Sequence, residues 1–224
     1  MAKGIRKAVV DDIKAAMAVR PHWRSFDDYL ADLTSNYRSK AKKLIKQVED
    51  AGYRVERGAD ASAHDARLHA LYGEAEIPRR HAPVGTAGRL LRRAACTRGP
   101  GAHALLADPR RRHRVRLHHH HQGRRTRVGY YAGFDYDVNA RVPLNLRLLQ
   151  TLVVDTIDLR CTELSFGRTA MEPKASLGAT ARSSHVWLRH RVPAVNARVR
   201  EIFSRVQPGE APQRNPFKEG ATKA

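Results

Sequence analysis

The amino-acid sequence predicts an α/β (α+β) fold in which helices flank a mixed β-sheet. Two observations carry this prediction: a strand, a helix and a strand follow one another closely between residues 129 and 166, and amphipathic helices precede residue 78. Apolar residues make up 42% of the 224 residues, which is enough for one domain with a hydrophobic core. We divide the chain into an N-terminal extension (1–22), a single lobe (23–206) and a polar tail (207–224).

Before residue 78, apolar residues recur at spacings of three and four, as on one face of a helix. This spacing predicts helices over Trp23–Leu33 and Thr34–Ala51, and Gly52 is a suitable C-cap for the second of them. Alternating residues predict a short strand at Tyr53–Glu56. A third helix is predicted over Ala61–Glu76.

After residue 128 the pattern is again that of a folded protein. Pro143 favours the start of a helix, and the residues that follow are apolar on nearly every side, which is typical of a helix packed on a sheet. The predicted elements are a strand at Gly129–Phe134, a turn at Asp135–Asn139, a helix at Leu144–Leu159, strands at Thr162–Phe166 and Ser183–Arg191, and a helix at Val195–Val206.

Residues 78–128 have an unusual composition. They contain 14 arginines, no lysine, seven of the 12 histidines and a single acid, Asp108. They contribute +13 to a formal net charge of +20. Three interpretations remain open: a basic flexible linker, an arginine-rich segment that binds nucleic acid, or a GC-rich stretch read out of frame between two compensating shifts. On the third interpretation we expect the central strands of the sheet to be disrupted at 78–128.

The composition also limits the class of protein. No apolar run approaches the roughly 20 residues of a membrane-spanning helix, and the N-terminus lacks the pattern of a secretion signal. The two cysteines, Cys96 and Cys161, lie far apart and predict no disulfide framework. His118–His121 are consecutive and cannot all face one ion, so no metal site is predicted. We expect a cytoplasmic protein.

Two groups of residues could carry chemistry at the ends of predicted strands. Asp135 and Tyr136 directly follow a glycine-containing strand, where a carboxylate could act as base and a phenol as acid; alternatively, the aspartate is a turn former. Tyr131 and Asn139 flank this pair and are candidate substrate-binding residues, although Tyr131 could equally belong to the core.

The second group follows the strand that ends at Gly167. Glu172 is a further candidate catalytic carboxylate, and Arg168 and Lys174 could bind the phosphate or carboxylate of a cofactor. The alternative is an Arg168–Glu172 ion pair that stabilises a loop. The lysines of the helix at 34–51 could likewise hold phosphate, or simply form a solvated face.

Four stretches resemble the FemAB-like branch of the GNAT-type acyltransferases. They are residues 23–58, residues 130–179 with YAGFDYD and SFGRTAMEPKASLGA, the strand WLRHR at 187–191, and RNPFK at 214–218. The resemblance implies a GNAT-like mixed sheet flanked by helices, in a chain that corresponds to the C-terminal lobe of a two-lobed parent. The usual pyrophosphate loop of the superfamily is not found; GTAGRLLRR at 85–93 is only a partial match.

The resemblance also implies a function. An N-acyltransferase of this kind would move an acyl group from acetyl-CoA or another acyl-CoA, or from an aminoacyl-tRNA, to the amine of a small molecule or a cell-wall precursor. No metal is implied. The alternative is a basic nucleic-acid-binding protein that uses Arg110–Arg116 and Arg124–Arg127.

Overall fold

The structure, a computed structural model, describes residues 8–57, 103–107, 114–122, 125–133, 136–168, 170–188, 192, 194, 195, 198, 201 and 212–219. The predicted α/β fold with a mixed sheet flanked by helices is confirmed. The elements are β1 (Ala8–Ala18), α1 (Phe26–Asp32), α2 (Ser35–Asp50), β2 (Arg54–Arg57), β3 (His103–Ala107), β4 (Arg114–Gln122), β5 (Thr126–Gly133), α3 (Tyr136–Arg141), α4 (Leu144–Asp158), β6 (Glu163–Gly167), α5 (Met171–Ala175) and β7 (Thr180–Leu188).

One seven-stranded sheet has the strand order β2-β3-β4-β5-β6-β1-β7. Strands β2 to β5 form an antiparallel meander, whereas β5 and β6 are parallel and are connected through α3 and α4. Such a parallel pair needs a crossover connection, which α4 supplies. No helix in the described ranges combines the length and the apolar character needed to cross a bilayer.

Strand β1 lies within the region assigned to an N-terminal extension. It pairs antiparallel with both β6 and β7, so that Ala16 faces Ser165 on one side and Thr180 on the other. The segment at 8–18 is therefore part of the sheet. Its sequence, AVVDDIKAAMA, hides the strand because charged residues interrupt the apolar alternation.

The expectation that the central strands are disrupted at 78–128 is wrong for the residues described there. Strand β3 pairs with β2 and β4, and β4 pairs with β5. Strand pairing uses backbone groups and tolerates unusual side chains, and Val115 and Leu117 alternate with arginines as in an ordinary strand. The interpretation of 78–128 as out of frame stays a hypothesis.

The predicted turn at Asp135–Asn139 is also wrong, because helix α3 occupies Tyr136–Arg141. Aspartate and asparagine are frequent in turns but are also common in the first turn of a helix. The strand predicted at Ser183–Arg191 is observed at Thr180–Leu188 instead. The helix predicted at 61–76 lies outside the described residues, as does most of the one at 195–206.

The predicted helices α1, α2 and α4 are confirmed. Ser25 and Asp28 form a capping box at the start of α1, in which the Ser25 side chain accepts a hydrogen bond from the Asp28 amide. Helix α2 ends at Asp50 with Ala51 as its C-cap, and the predicted C-cap, Gly52, is the next residue, with a φ of +91°. Pro143 is the N-cap of α4 rather than its first residue.

Helix α4 crosses the sheet and contacts β3, β4, β5 and β6, while α1 and α2 pack against it. Leu144, Leu148, Leu152 and Ile157 of this helix are almost completely buried. The helix approaches β5 closely at Gly129, where an added Cβ would lie 2.5 Å from Leu152 Cδ2. Glycine at this position is therefore needed for helix packing.

A second close approach joins the turn after α5 to the C-terminal segment 212–219. Gly178 has a φ of +96°, and an added Cβ would lie 2.3 Å from Phe217 Cε2. Phe217 in turn contacts Trp23 and Tyr29, with ring centroids 5.6 and 6.1 Å away. The glycine therefore makes room for the aromatic ring that holds the C-terminal segment in place.

We expect Gly178→Ala to lower the free energy of unfolding by about 3 kcal/mol, because left-handed backbone strain adds to the overlap with Phe217. Gly167→Ala is the matched control: its φ is +80°, but its added Cβ would meet nothing closer than 3.6 Å, so about 1–2 kcal/mol of strain is expected. Urea unfolding, followed by circular dichroism, measures the free energy of unfolding of both variants and of the wild type. Equal losses in the two variants would contradict the assigned role of Phe217.

Candidate functional site

The sheet opens at the carboxyl ends of its two parallel strands. Strands β5 and β6 are paired over only three positions, from Thr126 opposite Glu163 to Val128 opposite Ser165. Beyond these positions β5 continues with β4, and β6 with β1. Ligands of open α/β sheets bind at this kind of edge, where neighbouring strands separate.

Backbone irregularities are concentrated at the same edge. Tyr130 has no partner residue on β4, and the register between β1 and β6 shifts between Ala15 and Ala16. Gly167, the last residue of β6, has a φ of +80°. The unpaired Tyr130 marks a β-bulge in β5. Bulges leave backbone N–H groups outside the ladder, where they can serve a ligand.

The topology brings both predicted groups of site residues to this edge. Tyr131 lies in β5, and Tyr136 and Asn139 lie in α3 just after it. Arg168 directly follows β6, and Glu172 and Lys174 lie in α5, which comes next. Asp135 lies outside the described residues.

The side chains after β5 differ in their exposure to solvent. Tyr136 is 47% exposed and is therefore accessible to a ligand. Asn139 Oδ1 accepts a hydrogen bond of 2.9 Å from the Asn145 amide in the first turn of α4. Asn139 thus satisfies one of the amides at the helix start that have no partner within the helix.

The charged residues after β6 do not pair as the sequence suggested. The alternative of an Arg168–Glu172 ion pair is wrong, because Arg168 pairs with Asp12 of β1 and Glu172 pairs with Arg214. Lys174 is only 5% exposed. An exposed Arg168 is thus better placed than Lys174 to meet a ligand from solvent.

A groove of about 480 Å³ lies next to these residues, between α1, α2, α4, α5 and Arg214. Glu172 is the predicted site residue that lines it. The other lining residues are Tyr29, Leu33, Tyr37, Lys40, Ala41, Lys43, Leu44, Gln47, Pro143, Leu146, Gln150, Pro173, Ser176, Leu177 and Arg214.

The lysines of α2 are all exposed, at positions 40, 42, 43 and 46. Lys40 and Lys43 line the groove, whereas Lys42 and Lys46 lie outside it. A solvated face is thus present, and phosphate binding by this helix stays a prediction. Gln150 and Arg214 were not predicted, since only tertiary packing brings them to the groove.

Asp32 holds the α1 wall of the groove. Its Oδ2 accepts hydrogen bonds from Trp23 Nε1 at 2.7 Å, Arg20 Nη1 at 2.7 Å and His22 Nε2 at 2.8 Å. Partial burial alone would raise the pKa of Asp32, but the bonds from Trp23, His22 and Arg20 outweigh it and hold the pKa below its ordinary value. The carboxylate therefore remains ionised and ties the loop after β1 to α1.

The C-terminal segment 212–219 is fixed to the same wall. The Thr34 amide donates to the Pro216 carbonyl at 2.9 Å, and the Lys218 amide donates to the Asp32 carbonyl at 3.0 Å. Arg214 Nε lies 2.9 Å from Glu172 Oε1, and this hydrogen bond raises the pKa of Arg214. Two segments far apart in sequence thus meet across the mouth of the groove.

Arg127 lies inside the fold rather than on its surface. It is 1% exposed, and its Nη2 lies 3.6 Å from Asp155 Oδ2 of α4. Burial lowers the pKa of Arg127, and the Asp155 carboxylate opposes that shift. A buried, paired arginine cannot contact the phosphates of a nucleic acid, so Arg127 is removed from the candidate nucleic-acid surface.

Among residues whose side chains the structure describes, no group of three or more histidine, cysteine or acidic residues could hold a metal ion. Cys161 is buried, and its burial raises the pKa of the thiol, so it lacks the ionised character of a nucleophile. No family model and no curated protein matches the chain.

We expect Asp32→Asn to lower the free energy of unfolding by about 2 kcal/mol at pH 7, because hydrogen bonds to a charged acceptor are lost. The pKa of Asp32 is lower in the folded than in the unfolded chain, so this contribution is present above about pH 4. This contribution is lost as the pH falls through the folded-state pKa of Asp32. The free energies of unfolding of the wild type and Asp32→Asn then become equal.

Urea unfolding at a series of pH values measures this difference. Asp50→Asn is the control, because Asp50 is exposed at the end of α2; its effect is expected to stay within about 0.5 kcal/mol. A wild-type advantage over Asp32→Asn that stays constant down to low pH would show that the Asp32 charge does not hold the wall.

Proposed function

We propose that the protein is a GNAT-like N-acyltransferase that moves an acyl group from an acyl-CoA or an aminoacyl donor to an amine acceptor, such as a small molecule or a cell-wall precursor. The observation that carries the proposal is the separation of the parallel strands β5 and β6 after three paired positions. Candidate site residues follow both strands at that edge. The proposed location is the cytoplasm.

The separated strands offer what acyl transfer requires of a backbone. When the amine attacks the carbonyl carbon, negative charge develops on the carbonyl oxygen and needs hydrogen-bond donors. Residues that leave the ladder, such as Tyr130 at the bulge, are suited to supply an N–H group there.

Proton transfer is assigned to two side chains. The Glu172 carboxylate lines the groove and is about half exposed. Arg214 donates to its Oε1, so Oε2 is the oxygen that accepts the proton of the amine. A C–N bond forms as the C–S bond of a thioester breaks, and Tyr136 then donates a proton to the departing thiolate. Asp135 stays an alternative base.

Arg168 is the favoured residue for the anionic part of the donor. It is about half exposed and pairs with Asp12 across the end of the sheet. A guanidinium can keep one such partner and still donate to a phosphate, because it has five N–H donors. Lys174 is buried, and we assign it to the fold.

The proposal predicts that the purified chain consumes acetyl-CoA and releases free CoA when an amine is present. We expect Glu172→Gln to lower kcat/KM by about 100-fold, since it removes the base but keeps the size of the side chain. Release of CoA thiol, followed with a thiol reagent across a panel of amines, measures the rate. Parallel reactions with aminoacyl-tRNA test the other donor.

Glu49→Gln is the matched control, because Glu49 is exposed on α2 and does not line the groove; its rate should equal that of the wild type. Full activity in Glu172→Gln would remove Glu172 from the mechanism. Failure of the wild type to consume either donor with any amine in the panel would refute the proposed acyl transfer.

A further inference from the structure

The groove has the dimensions and the composition of a small-molecule site. Its volume of about 480 Å³ lies within the range of roughly 300–1,000 Å³ that holds drug-sized ligands. Much of its lining is apolar or aromatic, as at Leu44, Leu146 and Tyr37. Such a lining favours a ligand with an apolar body.

Two positive charges of the groove are left without a counter-charge. Arg214 and Glu172 neutralise one another, whereas the ion pairs of the described residues include neither Lys40 nor Lys43. Lys40 Nζ lies 5.8 Å from the centroid of the Tyr37 ring, which places a cation beside an aromatic surface. An anionic group on the ligand would complement this pair of lysines.

Gln150 supplies a polar group at the base of the groove. It is 1% exposed, and its Nε2 donates to the Ala41 carbonyl at 3.2 Å. Its Oε1 has no hydrogen-bond partner among the described residues. A buried acceptor without a partner costs free energy. Less than 1 Å² of Oε1 is accessible, so an N–H or O–H group of a ligand would supply the missing bond only after the Gln150 side chain turns toward the groove.

We infer that the groove binds a small organic anion that combines an apolar body with one N–H or O–H donor. The anion lies against Lys40 and Lys43, the body lies against the apolar lining, and the donor bonds to Gln150 Oε1 once that side chain has turned toward the groove. A phosphate and a carboxylate are equally compatible with the two lysines. The inference does not depend on acyl transfer, since it concerns binding alone.

Two fluorescent probes test the inferred binding of an organic anion in the full chain. 8-Anilinonaphthalene-1-sulfonate carries a sulfonate, an aromatic body and an N–H group, and N-phenyl-1-naphthylamine is the same compound without the sulfonate. We expect the sulfonate to bind about tenfold more tightly than the neutral probe, because it alone can use both lysines.

Matched double variants separate the groove lysines from the general positive charge of the helix. Lys40→Gln with Lys43→Gln should weaken sulfonate binding by about tenfold and leave the neutral probe unchanged. Lys42→Gln with Lys46→Gln removes the same charge from α2 outside the groove. This double variant should bind the sulfonate probe and the neutral probe as tightly as the wild type does. Equal weakening by both double variants would overturn the inference.

Gln150→Met tests the buried acceptor, because methionine has a similar length and no oxygen. It should weaken both probes by roughly threefold to tenfold, with thermal unfolding confirming that the variant is folded. Unchanged binding in a folded Gln150→Met protein would refute the role of this residue. Lys40→Gln with Lys43→Gln gives an independent result if the methionine variant does not fold.

Competition identifies the anion. Phenyl phosphate and 3-phenylpropanoate are added separately to the chain with the sulfonate probe bound. Displacement by the first indicates a phosphate ligand, and displacement by the second a carboxylate; either result supports the inference. Displacement by neither compound would overturn it, whether or not the chain transfers acyl groups.

Discussion

The packing of helix α4 on the sheet is the constraint on which the rest of the structure depends. The missing side chain of Gly129 lets Leu152 reach the backbone of β5, and beside this contact Arg127 of β5 pairs with Asp155 of α4. A buried pair of this kind holds register and orientation even where its net contribution to stability is small. Because α1 and α2 pack against α4, the position of the groove follows from this one interface.

The same helix connects the fold to both candidate sites. Its N-terminal end follows the open edge of the sheet through α3, and Gln150, in its middle, reaches the base of the groove. Glu172 lies in α5, the helix after β6, and also lines the groove. The separated strands and the groove are therefore neighbouring parts of one surface, and the proposed transfer and the inferred anion site concern the same part of the molecule.

The local pattern of the sequence predicts those elements whose side chains repeat with a clear period. Helix α2 is of this kind, since its apolar residues recur every three or four positions. Helix α4 is predicted instead from Pro143 and the nearly continuous apolar character of the residues that follow. Strand β1 could not be predicted, because Asp11, Asp12 and Lys14 break its alternation. Strands β3 and β4 were missed because arginine and histidine dominate their surroundings, although backbone pairing does not require apolar side chains.

The residues of the candidate site also divide into those that the sequence predicts and those that it does not. Glu172 could be proposed from its position after a strand, and Lys40 and Lys43 from the basic character of α2. Gln150 carries no signal in the sequence, because a glutamine in an apolar helix shows neither its burial nor the lack of a partner for its Oε1. Arg214 carries none either, since its meeting with Glu172 depends on how the C-terminal segment 212–219 packs on α1.

The attachment of that segment has a consequence for how the protein matures. Arg214 lines the groove, and Phe217 packs on Tyr29, which lines the groove as well. Every described strand precedes residues 212–219 in the chain, so the strands are synthesised before this part of the groove wall. Proteolytic removal of 212–219 would take Arg214 and the Phe217 ring away from that wall.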